Sequence, residues 1–425
     1  LSVQAANDVN SDDEREAIQK EIEQINNEID RISDQTEFNT QSLINGNLSR
    51  RVYSDYQGVN QLKISDSFTA GIYGVTVTQD ARQAIVVGNG AVTMSDTATV
   101  TKEQAGTISM NGYGIEISEG DTLAGIMGKL VDGADKIGGR VFAITAGATN
   151  DTKVNGTDYA GYEPQTSYAG NNIVFMTKES GSSKTMNITC SNAELANMLG
   201  IATAATNGGM YAEGSDVQAE FTLDNDGKRV GFADSAVIST SGTRVTVKDV
   251  NNRTFVTDVP SNVAGTQFSD TVKADDKSTA TSTQTAKVTQ EVTDVGTMSV
   301  HVGANENQVI LIDIPAVTSY TLGTENLNVM TSVTASEAID TIDTAVAYAN
   351  RVRSQMGAYE NRFEHTTNNL GTASENLTSA ISTMTDTDMA EEMTEYTSLN
   401  VMTQAATSIL AQANERPSTV LQILQ

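Results

Sequence analysis

The chain has no tryptophan, one cysteine, two histidines and four prolines in 425 residues. With Cys190 alone, no intrachain disulfide can form. His301 and His365 lie far apart in sequence, so the two-histidine helical zinc motif is absent, and a His/Cys zinc site would need nearly every candidate ligand present. No run of about 18 apolar residues exists, so no transmembrane helix and no membrane insertion is expected. Positive charge is also short. Lys and Arg number 26 against 54 Asp and Glu, a formal charge of −28. That balance argues against nucleic acid and anionic membrane surfaces, both of which need clustered cations. Aromatics are 5% and hydrophobic residues 38%, which predicts thin cores spread over elongated domains. The scarcity of proline predicts long uninterrupted elements. The length predicts two to four domains. What is abundant is Thr, Ser, Ala, Asn and Gly, a composition that suits a polar-surfaced, secreted structural protein better than a catalyst.

The clearest periodic signal is near the start. Ser11-Asp12-Asp13-Glu14 is a capping box, with acids at the positive end of the helix dipole. Ile18, Ile22, Ile25, Ile29 and Ile32 then follow at alternating spacings of four and three, a heptad seam. Between them Lys20, Glu21, Glu23, Gln24, Asn26, Asn27, Glu28, Asp30 and Arg31 read as a solvated face. A lone helix cannot bury such a stripe, so a partner helix is required. The last third supplies one. Thr334-Ala335-Ser336-Glu337 reads as a second capping box, followed by Ile339, Ile342, Val346, Ala349, Val352, Met356, Tyr359 and Phe363, with Leu370, Leu377, Ile381 and Met384 extending the stripe. Gly371 marks a weak point in that helix. Residues 386–416 predict a further helix with an acidic start, which Pro417 interrupts. The apolar terminus of Val420, Leu421, Ile423 and Leu424 needs another surface, either its own domain or a neighbouring subunit.

Between about 64 and 295 heptads give way to short alternating runs broken by Gly, Asn, Asp and Ser. Ile173–Met176, Arg244–Val247 and Thr254–Val256 read as strands, and 108–117 as a hairpin turning at Asn111-Gly112. Residues 123–131 read as a short helix, and 268–292 as an exposed loop or extended connection. Cys190 falls at a strand end, packed rather than nucleophilic, and Asp224-Asn225-Asp226-Gly227 reads as a turn rather than a calcium loop. Residues 299–314 predict two strands around a polar turn. The fold class is therefore α+β: a discontinuous, coiled-coil-like core of long helices with an inserted β-rich outer region. The expected divisions are 1–63, the first part of the core; 64–295, the insert; 296–385, the hairpin and helix that complete the core; and 386–425, half of a terminal coiled-coil domain. No cofactor, metal site or catalytic constellation is visible.

The two ends resemble bacterial flagellin. Leu1-Ser2-Val3-Gln4-Ala5-Ala6-Asn7-Asp8, Gln35-Thr36-Glu37-Phe38-Asn39 and Leu43-Ile44-Asn45-Gly46 are similar to the family's N-terminal core helices and the turn after them. His301-Val302-Gly303-Ala304-Asn305, residues 334–425 and the closing Val420-Leu421-Gln422-Ile423-Leu424 are similar to its C-terminal part. Residues 106–201, with Ser109-Met110-Asn111-Gly112 and Gly120-Asp121-Thr122-Leu123, more loosely resemble an insertion motif of flagellins and hook-associated proteins. The family carries about ninety further residues ahead of this start, so a trimmed chain lacking the N-terminal arm is expected. The resemblance implies a secreted, extracellular structural subunit that, at full length, polymerises with itself into a filament used for swimming. It implies an export chaperone on the C-terminal helices, contacts with cap and hook-associated proteins, and surface sugars on the insert. It also implies recognition by a host Toll-like receptor, with Leu1 and Glu21 at contact positions. Rival expectations are a hook–filament junction or cap protein of the same assembly, an adhesin acting through the insert, and an enzyme carried there.

Overall fold

The computed structural model describes residues 1–7, 9–64, 68–145, 166–201, 209–249, 253–261, 263–264, 267–269, 276–277, 279–282 and 285–424. Among these the helices are α1 (Ser2–Ala5), α2 (Asp12–Gln35), α3 (Leu123–Lys136), α4 (Ala193–Met198), α5 (Ser319–Leu322), α6 (Ser332–Thr385) and α7 (Met389–Ile423). The chain divides into two units, residues 1–300 with 310–357, and 301–309 with 358–425.

In the first unit, α2 begins at the expected box. Ser11 Oγ accepts from the Glu14 N–H at 3.3 Å, and Glu14 Oε2 accepts from the Ser11 N–H at 2.8 Å. Ile18 and Ile22 are buried in a cluster with Ala5, Val329, Ala335 and Ala338. Ile29 packs against a second cluster of Leu322, Ala345, Tyr348 and Val352. Ile25 and Ile32 stay 46% exposed, so the five-isoleucine seam is not covered along its length. The reason is a polar ladder on the same helix. Gln19 donates to the Leu327 carbonyl and accepts from the Val329 N–H. Asn26 donates to the Thr324 carbonyl at 2.6 Å, and the Asp30 carboxylate accepts from both the N–H and the hydroxyl of Ser319. These bonds satisfy the start of α5 and the irregular backbone between α5 and α6, and draw both against α2. Asn26 and Asp30, expected on a solvated face, are therefore structural.

The long helix also starts one turn earlier than expected. Thr331 and Thr334 exchange the reciprocal capping bonds, each hydroxyl accepting from the other's N–H at 3.2 and 3.1 Å. Glu337 is released from that role and pairs with Lys184 at 3.2 Å. The buried stripe of α6 runs through Ala335, Ala338, Ala345, Tyr348, Val352 and Tyr359. Ala345 lies in that stripe, and Val346, one residue further round, is 54% exposed.

The inserted region has two cores. In one, α3 packs on a sheet ordered 276–277, 209–213, 185–190, 106–110, 113–117 and on a three-stranded sheet ordered 83–87, 171–180, 139–145. The Gly106–Met110/Tyr113–Ile117 hairpin turns at Asn111 and Gly112, with φ of 49° and 89° as its tight two-residue turn requires. The elements of 106–201 share this core, apart from 146–165, which lie outside the described residues. The expected helix at 123–131 extends to Lys136.

The second core lies between a sheet ordered 218–221, 71–79, 286–292, 52–54 and another ordered 237–241, 244–248, 254–258, 60–64. Phe68, Tyr73, Phe232 and Phe255 stack edge-on or tilted at its centre, with centroids 5.1–6.3 Å apart. Strands 52–54 and 60–64 thus belong to the β region, which begins before residue 64. Residues 286–292 form a central strand rather than part of a loop; much of 268–285 lies outside the described residues. The two chain crossings are neighbours: Val52–Ser54 pairs antiparallel with Gln290–Val292, and Arg51 N–H donates to the Val295 carbonyl. At 224–227 the Asp224 carboxylate accepts from the N–H groups of Asp226 and Lys228, and Gly227 takes φ of 75°, which makes a turn.

In the second unit, α6 continues without interruption through Gly371, where an added Cβ would meet open space. After three residues α7 begins, with the Asp388 carboxylate accepting from the N–H groups of Ala390 and Glu391. It runs through Pro417, which was expected to interrupt it, and ends at Ile423. Proline there gives up one backbone hydrogen bond and crowds the carbonyl four residues back, so α7 is weakened at that turn.

Candidate assembly surfaces

The second unit holds a long run of exposed apolar side chains. None of the residues of α7 is buried. Met389, Met393, Tyr396, Leu399, Met402, Ile409 and Leu410 are all at least half exposed, and so are Leu377, Ile381 and Met384 at the end of α6. The terminal Val420, Leu421, Ile423 and Leu424 are 55%, 63%, 84% and 80% exposed. Most helical stability comes from packing an apolar face, and contiguous exposed apolar area marks interaction sites. Burying those four side chains would contribute about 1.5–3 kcal/mol each. The hydroxyls along this surface do not compete for a partner. Thr366, Thr372, Thr378, Thr394, Thr403 and Thr407 each donate to the carbonyl four residues back on their own helix. Such back-bonding slightly weakens a helix, so α7 depends all the more on what covers it.

The stripe residues named from the sequence are divided in their placement. Ile18, Ile22 and Val352 are buried; Ile29, Ile339, Ile342, Met356 and Phe363 are half-buried; Ile25, Ile32 and Val346 are exposed. Leu1 is 40% exposed and Glu21 is exposed on α2. Sequence reasoning missed the anchor between α2 and α3. Glu16 bonds Lys20 one turn on and Lys136 at the end of α3, each at 2.9 Å, and these hydrogen bonds hold its carboxyl down to about 2. Nothing in a local window could have flagged that pair. Cys190 is half-buried, its Sγ donating to the Asn192 carbonyl, and burial pushes the thiol up, away from the reactive thiolate. Among the described residues no group of three or more His, Cys, Asp and Glu could hold a metal ion, and no helix is long and apolar enough to cross a membrane.

Comparison with known proteins falls on both ends of the chain. The model of the bacterial flagellin N-terminal helical region matches residues 1–49, and that of the C-terminal helical region matches 339–424. A putative flagellin, YvzB of Bacillus subtilis, is 44% identical over 126 residues, which is 29% of this chain and 79% of that protein. The chain belongs to the flagellin family. A flagellin of Halalkalibacterium halodurans is 41% identical over 32% of the chain, and a 31.3 kDa flagellar filament core protein of Treponema maltophilum 38% identical over 33%. The chain spans about half the length of these last two relatives, 52% and 51%. Among solved structures, the D2–D3 domains of the flagellar cap protein FliD from Escherichia coli align over 58% of the chain and 99% of that chain, at 15% identity and a TM-score of 0.31, too low to bear on the fold. The flagellin family models therefore cover α1, α2, most of α6 and all of α7, the last two of which carry the uncovered apolar surface, and leave the two β cores unmatched.

Proposed function

We propose that the chain is a structural subunit of the bacterial flagellar filament, exported from the cell and polymerising through its terminal helices into a tube used for swimming. The observation that carries this is the coincidence of flagellin similarity with the uncovered apolar surface of α7. The β-rich region, joined to the helices through neighbouring strands, would then face outward as the variable part. Three finer roles go with the reading. The C-terminal helices, 386–425, are the place for an export chaperone, which would cover the same apolar side chains before assembly. Cap and hook-associated proteins would meet the same terminal helices at the filament's ends. Leu1 and Glu21, both accessible, are candidate contacts for a host Toll-like receptor; unchanged receptor signalling by a Glu21→Ala protein would remove Glu21 from that role.

The test is the composition of filaments sheared from cells that express the gene. Peptides from residues 68–145 and 209–249 are expected among the most abundant in their digests. Recovery at only a few copies per filament would instead assign the chain to a junction or cap.

A further inference from the structure

In a chain of charge −28, three cations, Lys63, Arg244 and Arg351, gather on one face of a sheet that holds a single acid, Asp258. The strand Thr254–Asp258 lies between 244–248 and 60–64. Arg244 is paired opposite Asp258 on one side, and Lys63 opposite Val256 on the other. Thr254, Val256 and Asp258 alternate onto one face, while Phe255 enters the aromatic core. The helix α6 lies over that face. Arg351 Nη1 donates to Thr254 Oγ1 at 3.0 Å, and Lys63 Nζ stands 4.1 Å from the centroid of the Tyr348 ring. The Arg244 guanidinium rests against Gly323, so closely that a Cβ there would meet Nη1 at 2.5 Å.

Among the described residues, none of the three has a carboxylate at ion-pair distance. Asp258, the acid in the same sheet face, is taken up by the Thr243 and Tyr320 hydroxyls. Burial, and then the charges of Arg244 and Arg351, hold the Lys63 amine down to about 8. The two tyrosines that face the cluster, Tyr320 from α5 and Tyr348 from α6, have hydroxyls pushed up first by burial and then by the carboxylates of Asp258 and Asp313 respectively, so they bring no negative charge near neutrality. The buried Asp313, which accepts from the Arg50 N–H, is the second acid beside the cluster.

We propose that Lys63, Arg244 and Arg351 form a binding site for a small inorganic oxyanion of the sulfate–phosphate class, at the junction of α6 with this sheet. Guanidinium forks and an ammonium together match the oxygens of such an ion. The charge of the whole chain repels a polyanion at long range but leaves a small ion free to enter. Binding would tie α6 to the β region through three elements at once. The inference does not depend on filament assembly.

Sulfate is the probe, because its own charge is constant over the pH range used. Titration calorimetry of the full chain at constant ionic strength, against a chloride control, is expected to give one site per chain at pH 7. Lys63→Met is expected to weaken it by at least about tenfold. Raising the pH to about 9.5 is expected to do the same to the unaltered protein, since Lys63 is then neutral. Lys63→Arg, which keeps its charge, is expected to bind at both pH values. Binding indistinguishable from chloride, full affinity in Lys63→Met, or the same pH loss in Lys63→Arg each overturns the proposal. Circular dichroism confirms that the variants fold; should Lys63→Met not fold, the Lys63→Arg comparison decides.

Discussion

Cells whose gene carries Leu421→Asp together with Leu424→Asp are expected to lose their filaments, while the protein itself folds as before. Both side chains lie on the uncovered end of the chain, 63% and 80% exposed. In the single chain the substitutions touch nothing buried, and surface changes of that kind stay within about 0.5 kcal/mol. In the proposed polymer the same positions would become interior. Each carboxylate would then enter an apolar seam without a partner, at a cost of several kcal/mol per ion. Because every subunit repeats the defect, no geometry of the tube escapes it. The two halves are measured separately: thermal melting of the purified chain, expected unchanged, and electron microscopy with motility in soft agar, expected to show bare, non-swimming cells. Filaments of normal length would mean that this terminus is not buried on assembly.

Phe255→Ala is expected to have the opposite profile, a large loss of stability in the purified chain. Its ring is 1% exposed and meets Phe68, Tyr73 and Phe232 at centroid distances of 5.5–5.6 Å. Truncating a buried phenylalanine costs about 3–5 kcal/mol, transfer and cavity together. The loss belongs to the core between the two four-stranded sheets. It is read as an earlier unfolding transition in urea, followed by near-ultraviolet circular dichroism, where the clustered rings contribute. A loss below about 1 kcal/mol would mean that the ring stack closes over the gap.

The local signals were legible because each is complete within a few residues. The Ser11–Glu14 box and the Asn111-Gly112 turn need no distant partner, and both stand where the sequence places them. The start of α6 was misplaced by three residues because Thr331 and Thr334 are chemically equivalent caps, and only the surrounding packing selects between them. The stripe of α6 was misphased at Val346 for a different reason. Apolarity alone favours valine over Ala345, but the face of α6 that meets Leu322 carries Ala345, Tyr348 and Val352, and Val346 lies off it. Asn26 and Asp30 are indistinguishable in sequence from solvated neighbours. Their role depends on carbonyl and amide groups nearly three hundred residues away. The proposed assembly residues are the reverse case. Val420, Leu421, Ile423 and Leu424 can be named from apolarity alone, and the structure adds that they stay 55–84% exposed among the described residues.

The pairing of Val52–Ser54 with Gln290–Val292 has a consequence for how such proteins diversify. Where the chain leaves the helices and where it returns are hydrogen-bonded neighbours, so the helices meet the same two strand ends whatever is spliced between them. The cost of loop closure grows slowly with length, so a longer, shorter or foreign cassette spliced in at this point still hands the chain back to its helices through the same pair of strands.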